Sequence, residues 1–273
     1  MKIDRPVLAH SRVIAGGADP SSWLYLLHGI YGSGRNWGSL ARRLVTERRD
    51  WGVVLVDLRL HGESTNFPPP HTLTECATDV VLLEETLGIP ARAILGHSYG
   101  GKVALLCAAG SGGSIRQAWI ADSTLRVGAP SGSAWSIIEI VRTLPEDFAS
   151  RDEVTDALVA HGYARGVGHW LGMNLARGDD GRFRWKLDWI GVEEMLRDYF
   201  AVDVWGTVER PPDGVEIHLV KAGESEALDD QSVERITEAG RRTGRVHLHL
   251  IEGGHWINVD NPEAMLALLR ERL

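Results

Sequence analysis

The chain has 273 residues, 44% apolar and 24% charged, a globular composition with ample core material and no bulk disorder; the length suits one α/β unit carrying an insertion. Its formal charge is −8, from 29 basic and 37 acidic side chains, which argues against a nucleic-acid surface or an anionic membrane as the main partner. Two cysteines in helical apolar patterns, Cys76 and Cys107, an N-terminus without a continuous apolar stretch and no run of about 18 apolar residues lead us to expect a cytoplasmic protein with buried thiols and no membrane span.

In chain order, short apolar runs alternate with segments of helical period. A strand is expected over 23–29, a helix over 36–48, a strand over 51–59, a helix over 72–88, a strand over 92–98, a helix over 99–110 and a strand over 116–123. Continuous Val/Leu/Ile runs of this length suit strands buried on both faces, hence a mostly parallel sheet covered by helices. The alternation resumes with a strand over 215–223, a helix from about 229, a strand over 245–254 and a helix over 261–273 whose Pro262 fits a first turn. Between these parts, residues 124–205 are Gly-rich and charged, with short helical patterns and no convincing strand. We read a core of residues 1–123 and 206–273 interrupted by a helical cap. Five of the ten tryptophans fall in the cap, Trp135, Trp170, Trp185, Trp189 and Trp205; they line an acyl pocket or simply hold the cap together.

The stretch "GHSYG" sets Ser98 between a buried strand and a helix start, the pattern of a nucleophile elbow. The plainer alternative is that Gly96, Gly100 and Gly101 only let the two elements pack closely. A serine needs a base, and "EGGHW" offers His255 on a loop after the final strand. An oxyanion would need two N–H donors. Tyr99, directly after the serine, supplies one at a helix N-terminus; Ile30, in the Gly-rich "HGIYGSG" loop after an early strand, supplies the other. Tyr31 and Trp256, beside these residues, are candidate substrate contacts. His247 and His249 alternate along a strand and share its more polar face, while His10, His71, His161, His169 and His218 stand in no motif. No H-E-x-x-H or paired-cysteine spacing suggests a metal. Asp57, Arg59, His61 and Ser64 of "DLRLHGES" are expected to brace a loop beneath the pocket.

Together "HGIYGS", "VDLRLHGES", "GHSYGGK" and "GGHW" make the chain resemble serine hydrolases of the α/β-hydrolase fold, most closely the YbfF-type bacterial esterases and the related abhydrolase-domain-11 proteins. The resemblance runs nearly end to end outside the cap. It implies hydrolysis of small-molecule carboxylic esters through an acyl-enzyme, without a cofactor. It also implies a carboxylate behind His255. The commoner position in the fold corresponds to Glu226; the YbfF-like subgroup draws its acid from the preceding strand end, which here is Asp122, and we favour Asp122. Ser123 and Thr124 follow it where the subgroup tends to carry an apolar residue and proline. The same residues would serve a thioesterase, a lactonase, a C–C hydrolase or an acyltransferase, and a ligand-binding protein on a hydrolase scaffold is a further alternative.

Overall fold

The computed structural model describes residues 5–273; the first four residues of the expected core lie outside that range. Seven strands form the central sheet in the order β1-β3-β2-β4-β5-β9-β10. They are β1 (His10–Val13), β2 (Ser22–Leu27), β3 (Trp51–Val56), β4 (Ala93–His97), β5 (Gln117–Ala121), β9 (Glu216–Ala222) and β10 (Val246–Ile251). All pairings are parallel except that of β1 with β3. The mostly parallel α/β class is therefore borne out. Strand β1 gave no apolar signal because its sequence, HSRV, lies at the exposed antiparallel edge.

Alternation along each strand divides the core into two layers. Tyr25, Leu27, Val54, Val56 and Ile94 face one side; Leu24, Leu26, Val53, Leu55 and Leu95 face the other, and all are essentially fully buried. At about 1.5–3 kcal/mol for each fully buried large aliphatic side chain, these strands supply much of the driving force for folding. The first layer is covered by α2 (Leu73–Leu87) and α3 (Tyr99–Gly110), and by α9 (Asp230–Thr243) further along; the second by α1 (Gly38–Glu47) and α11 (Pro262–Arg272). Local chemistry sets the helix ends. Thr72 accepts from the Glu75 N–H at 3.2 Å to start α2, and Gly88, in the left-handed region, ends it.

Between β5 and β9 the chain leaves the sheet and builds α4 (Gly132–Val141), α5 (Asp152–Ala160), α6 (Arg165–Gly172), α7 (Trp189–Ala201) and α8 (Trp205–Glu209). Residues 124–205, expected from the sequence to be helical with no convincing strand, are not helical throughout. The segment also holds a three-stranded antiparallel sheet of β6 (Asp147–Phe148), β8 (Phe183–Trp185) and β7 (Leu175–Arg177). Strands of two or three residues carrying Asp147, Arg177 and Arg184 offer no apolar run to detect. Among the described residues no helix is long and apolar enough to cross a membrane, and Cys76 and Cys107 are both free and buried.

Candidate active site

Ser98 follows β4, the central strand of the seven, and precedes α3 with φ +50°. A tightly packed strand-turn-helix holds this non-glycine residue there. A Cβ on Gly96 would lie 1.9 Å from the Gly100 carbonyl oxygen, and one on Gly100 would lie 2.6 Å from that of His28. The glycines thus do allow close packing, and the result of that packing is to lift Ser98 out of the strand. Its N–H donates to the Ala121 carbonyl of β5 at 2.9 Å. Five described non-glycine residues have positive φ, and three of them, Tyr31, Ser98 and Asp122, stand on this one crest of strand ends. Such strain persists only where the surrounding structure over-determines it.

Asp122 follows β5, the next strand over. It is wholly buried; its Oδ2 accepts from His255 Nδ1 at 2.7 Å and its Oδ1 from the Ala222 N–H at 3.1 Å. Burial works to raise its pKa, but the His255 and Ser225 side chains and the Ala222 amide together hold it below the usual aspartate value. A carboxylate can only accept, so His255 carries its proton on Nδ1 and presents a bare Nε2. Glu226 sits exposed on the loop after β9 and makes no hydrogen bond to His255. Its neighbour Ser225, which the sequence did not single out, is the one that reaches Asp122.

The loop carrying His255 is anchored at several points. Gly253, at φ +113°, accepts from the Glu224 N–H at 3.0 Å; the Gly254 N–H donates to Asp260 at 3.1 Å. From beneath, His97 Nε2 donates to the His255 carbonyl at 2.7 Å. Burial, followed by the nearby His255, pushes the His97 pKa down to about 3, so its ring is a neutral donor.

Ile30 and Tyr31 follow β2, on the other side of Ser98. The Tyr31 N–H is taken by His61 Nε2 at 3.0 Å, whereas that of Ile30 has no partner among the described residues. The Tyr99 N–H is likewise free, as the first of α3. Below this loop, Asp57 accepts from the Gly34 and Glu63 N–H groups at 2.7 and 2.9 Å, Ser64 donates to the Asp57 carbonyl at 2.7 Å, and buried Arg59 pairs with Asp79 at 2.7 Å. His28 accepts from the Leu58 N–H at 2.9 Å.

Gly29, Ile30, Tyr31, Ser98, His255 and Trp256 share one narrow cleft, closed from above by Ala134 and Ile137 of α4. A larger, mainly apolar groove adjoins it past Ile30 and Trp256, bounded by Trp37, Val167 and Trp170. Of the five tryptophans in 124–205, Trp170 lines this groove. Trp185 and Trp189 pack against each other, Trp205 is buried under Arg235, and Trp135 lies under Arg197. Sequence reasoning also missed two residues that join the crest to α7. The Tyr199 hydroxyl contacts Ser123 and the Thr124 N–H, each at 3.2 Å, and faces Ser98. Buried Lys102 donates to the carbonyls of Tyr199, Val202 and Arg126 at 2.7, 2.6 and 3.1 Å. Tyr199 stood in no motif, its partners lying some 75 residues away, and Lys102, although it closes the GHSYGGK stretch, had been given no role of its own. The group of metal-ligating side chains among the described residues, Glu216, His218 and His247, lies well away from this cleft.

A parallel sheet with this elbow, histidine loop and glycine-rich loop on one edge defines a hydrolase fold, and the chain belongs to the alpha/beta hydrolase family, whose model matches residues 24–268. It is an enzyme of that hydrolase class. Among relatives, the sn-1-specific diacylglycerol lipase ABHD11 of Danio rerio is 26% identical over 96% of this chain and 81% of its own length. Esterase YbfF of Escherichia coli (strain K12) is 25% identical over 93% of both chains. The solved structure of a marine microorganism esterase superposes with a TM-score of 0.82 at 24% identity, covering 98% of this chain and 99% of that one.

Proposed function

We propose that this hydrolase cleaves carboxylic esters of small to medium acyl chains through an acyl-enzyme on Ser98. His255 Nε2 takes the serine proton as Oγ attacks the ester carbonyl, and the Ile30 and Tyr99 N–H groups hold the oxyanion. The protonated imidazole then gives its proton to the leaving alcohol, and water releases the acid by the same steps. Asp122, rather than Glu226, fixes the ring and stabilises the imidazolium. Tyr31 and Trp256 flank the ester, and residues 124–205 act as a cap over the core formed by 1–123 and 206–273, with the groove past Trp170 taking the acyl chain. The partner is a small ester, not a nucleic acid, and the two free thiols fit a reducing, cytoplasmic setting.

The observation that best supports this reading is the 2.7 Å bond between wholly buried Asp122 and His255, on a ring that lines the same cleft as Ser98. Its relatives, a diacylglycerol lipase and an esterase, agree with ester chemistry. A fluorophosphonate probe should add to Ser98 and short-chain p-nitrophenyl esters should turn over, with Ser98→Ala losing the adduct and roughly 10⁴-fold or more of the rate. An unlabelled wild-type protein with no ester turnover would overturn the reading.

A further inference from the structure

At the opposite end of the sheet from Ser98, three side chains converge from two strands. Glu216 and His218 are two residues apart on β9 and so share a face, and His247 of β10 stands opposite His218 in the parallel register. Their ligand atoms all lie within 4.8 Å of one another: His218 Nε2 is 3.4 Å and His247 Nε2 3.7 Å from Glu216 Oε2. A tetrahedral zinc ion with bonds near 2.1 Å has ligand atoms about 3.4 Å apart.

A second observation concerns His218 alone. Its side chain is 1% exposed and its Nε2 has no hydrogen-bond partner; the buried Nε2 of His247 has none either. A buried ring nitrogen without a partner is costly. The His218 ring is nevertheless held firmly with that nitrogen toward Glu216. Trp119 stacks on it at 4.0 Å and 8° between planes, and its Nδ1 meets His249 Nε2 at 3.0 Å. A ligating histidine commonly has its other ring nitrogen oriented in this way. Glu216 and His247 are 50% and 33% exposed, so the group opens to solvent, where water completes the shell. Arg272 of α11 also bears on His218, and its guanidinium pairs with Glu271 at 3.4 Å.

We infer that Glu216, His218 and His247 form a binding site for one divalent transition-metal ion of the zinc type, separate from the ester-cleaving cleft. Two imidazoles and one carboxylate select such an ion over magnesium, which prefers an all-oxygen octahedral shell. A bound ion clamps edge strand β10 to β9, and β10 leads directly into the His255 loop. The site went unseen in the sequence because its ligands come from two strands some 30 residues apart.

Calorimetric titration of chelator-treated protein with zinc chloride, together with thermal unfolding, tests this. The wild type should take up one zinc ion and, at about 100-fold excess over Kd, gain about 5 °C in Tm. Magnesium should do neither. His247→Ala and Glu216→Gln, both at partly exposed positions, should weaken zinc at least tenfold, and His255→Ala should keep the wild-type affinity. The inference fails if the wild type takes up no zinc, if both site variants bind as well as wild type, or if only His255→Ala loses the ion.

Discussion

The sheet and the segment lying over it between residues 124 and 205 are stabilised in different ways. Strands β3 and β4 are buried along their whole length, and Ser98, Asp122 and Ile30 hang from strand ends that nothing short of core disruption would move. The overlying segment relies on small elements and on surface ion pairs such as Arg182–Asp147 and Arg184–Asp180, whose side chains are one-third to one-half exposed and worth about 0–1 kcal/mol each. Its attachment to the core is a set of specific buried contacts: Lys102 on three carbonyls, the Tyr31 hydroxyl on the Ala134 carbonyl at 2.5 Å, Asn174 on the Tyr31 carbonyl at 2.9 Å and the Leu73 N–H on Asp198 at 2.7 Å. The α7 residues Val192, Met195 and Leu196 add an apolar seam. On the proposed function, the groups that must keep fixed distances stand on the rigid part, and those that would decide what enters stand on the segment over it.

The largest test of the rigid half is Asp122. Asp122→Asn should lower kcat by about 10³–10⁴ with the fold retained, as loss of an orienting carboxylate does in Ser-His-Asp enzymes, whereas Glu226→Gln should stay within about twofold of wild type. A loss in the Glu226 variant alone would move the acid to the other strand. The same carboxylate has a stability signature. Its folded pKa lies below the ordinary 3.8, so its contribution is complete above that value and is lost as pH falls through the lower folded one. Unfolding midpoints between pH 4 and 2 should therefore vary less steeply in Asp122→Asn than in wild type.

A second consequence of the rigid half concerns His28, His61 and His97, buried beneath the crest. Burial, the first cause for each, lowers their pKa values to about 4, 3 and 3. The unfolded chain takes up these protons near 6.5 while the folded one does not, so stability falls as pH drops below 6.5. With all three titrating, the slope approaches about 4 kcal/mol per pH unit near pH 5. Denaturant unfolding at pH 7 and pH 5 measures it; equal midpoints would show that the crest opens to admit protons without unfolding.

The two halves were also unequally legible in the sequence. Strands β2 to β5 and β9 to β10 lie within the expected runs or one residue outside them, the inner ones because strands buried on both faces must be nearly continuously apolar and edge strand β10 because its apolar residues alternate with histidines. The ends were overextended where the chain turns into functional loops: 57–59 and 252–254 read as strand, yet they are the segments that carry the Asp57 and His255 loops. Ser98, His255, Ile30 and Tyr99 stood in short local patterns, and the structure brings them to one edge. Tyr199 and Ser225 left no such mark, and Lys102 stood at the end of the GHSYGGK stretch without a visible role. Each acts through a partner distant in sequence, which a local pattern does not reveal.

Lys102 offers the sharpest remaining way to separate the halves. Its ammonium is fully buried and sits at the C-terminal end of α7, where free carbonyls and the negative end of the helix dipole attract a cation; it also lies 4.6 Å from the Tyr199 ring. Burial pushes its pKa down to about 8, which marks how much of its solvation these contacts must replace. Lys102→Met keeps the aliphatic stem but leaves the carbonyls unpaired, at a cost of about 2–3 kcal/mol. If the overlying segment is fastened here and the chemical groups are not, ester KM should rise several-fold and proteolytic nicking within 124–205 should accelerate, while kcat stays within about threefold. A variant with normal KM and a kcat reduced 100-fold would mean instead that α7, through Tyr199 and its hydroxyl facing Ser98, belongs to the chemical half.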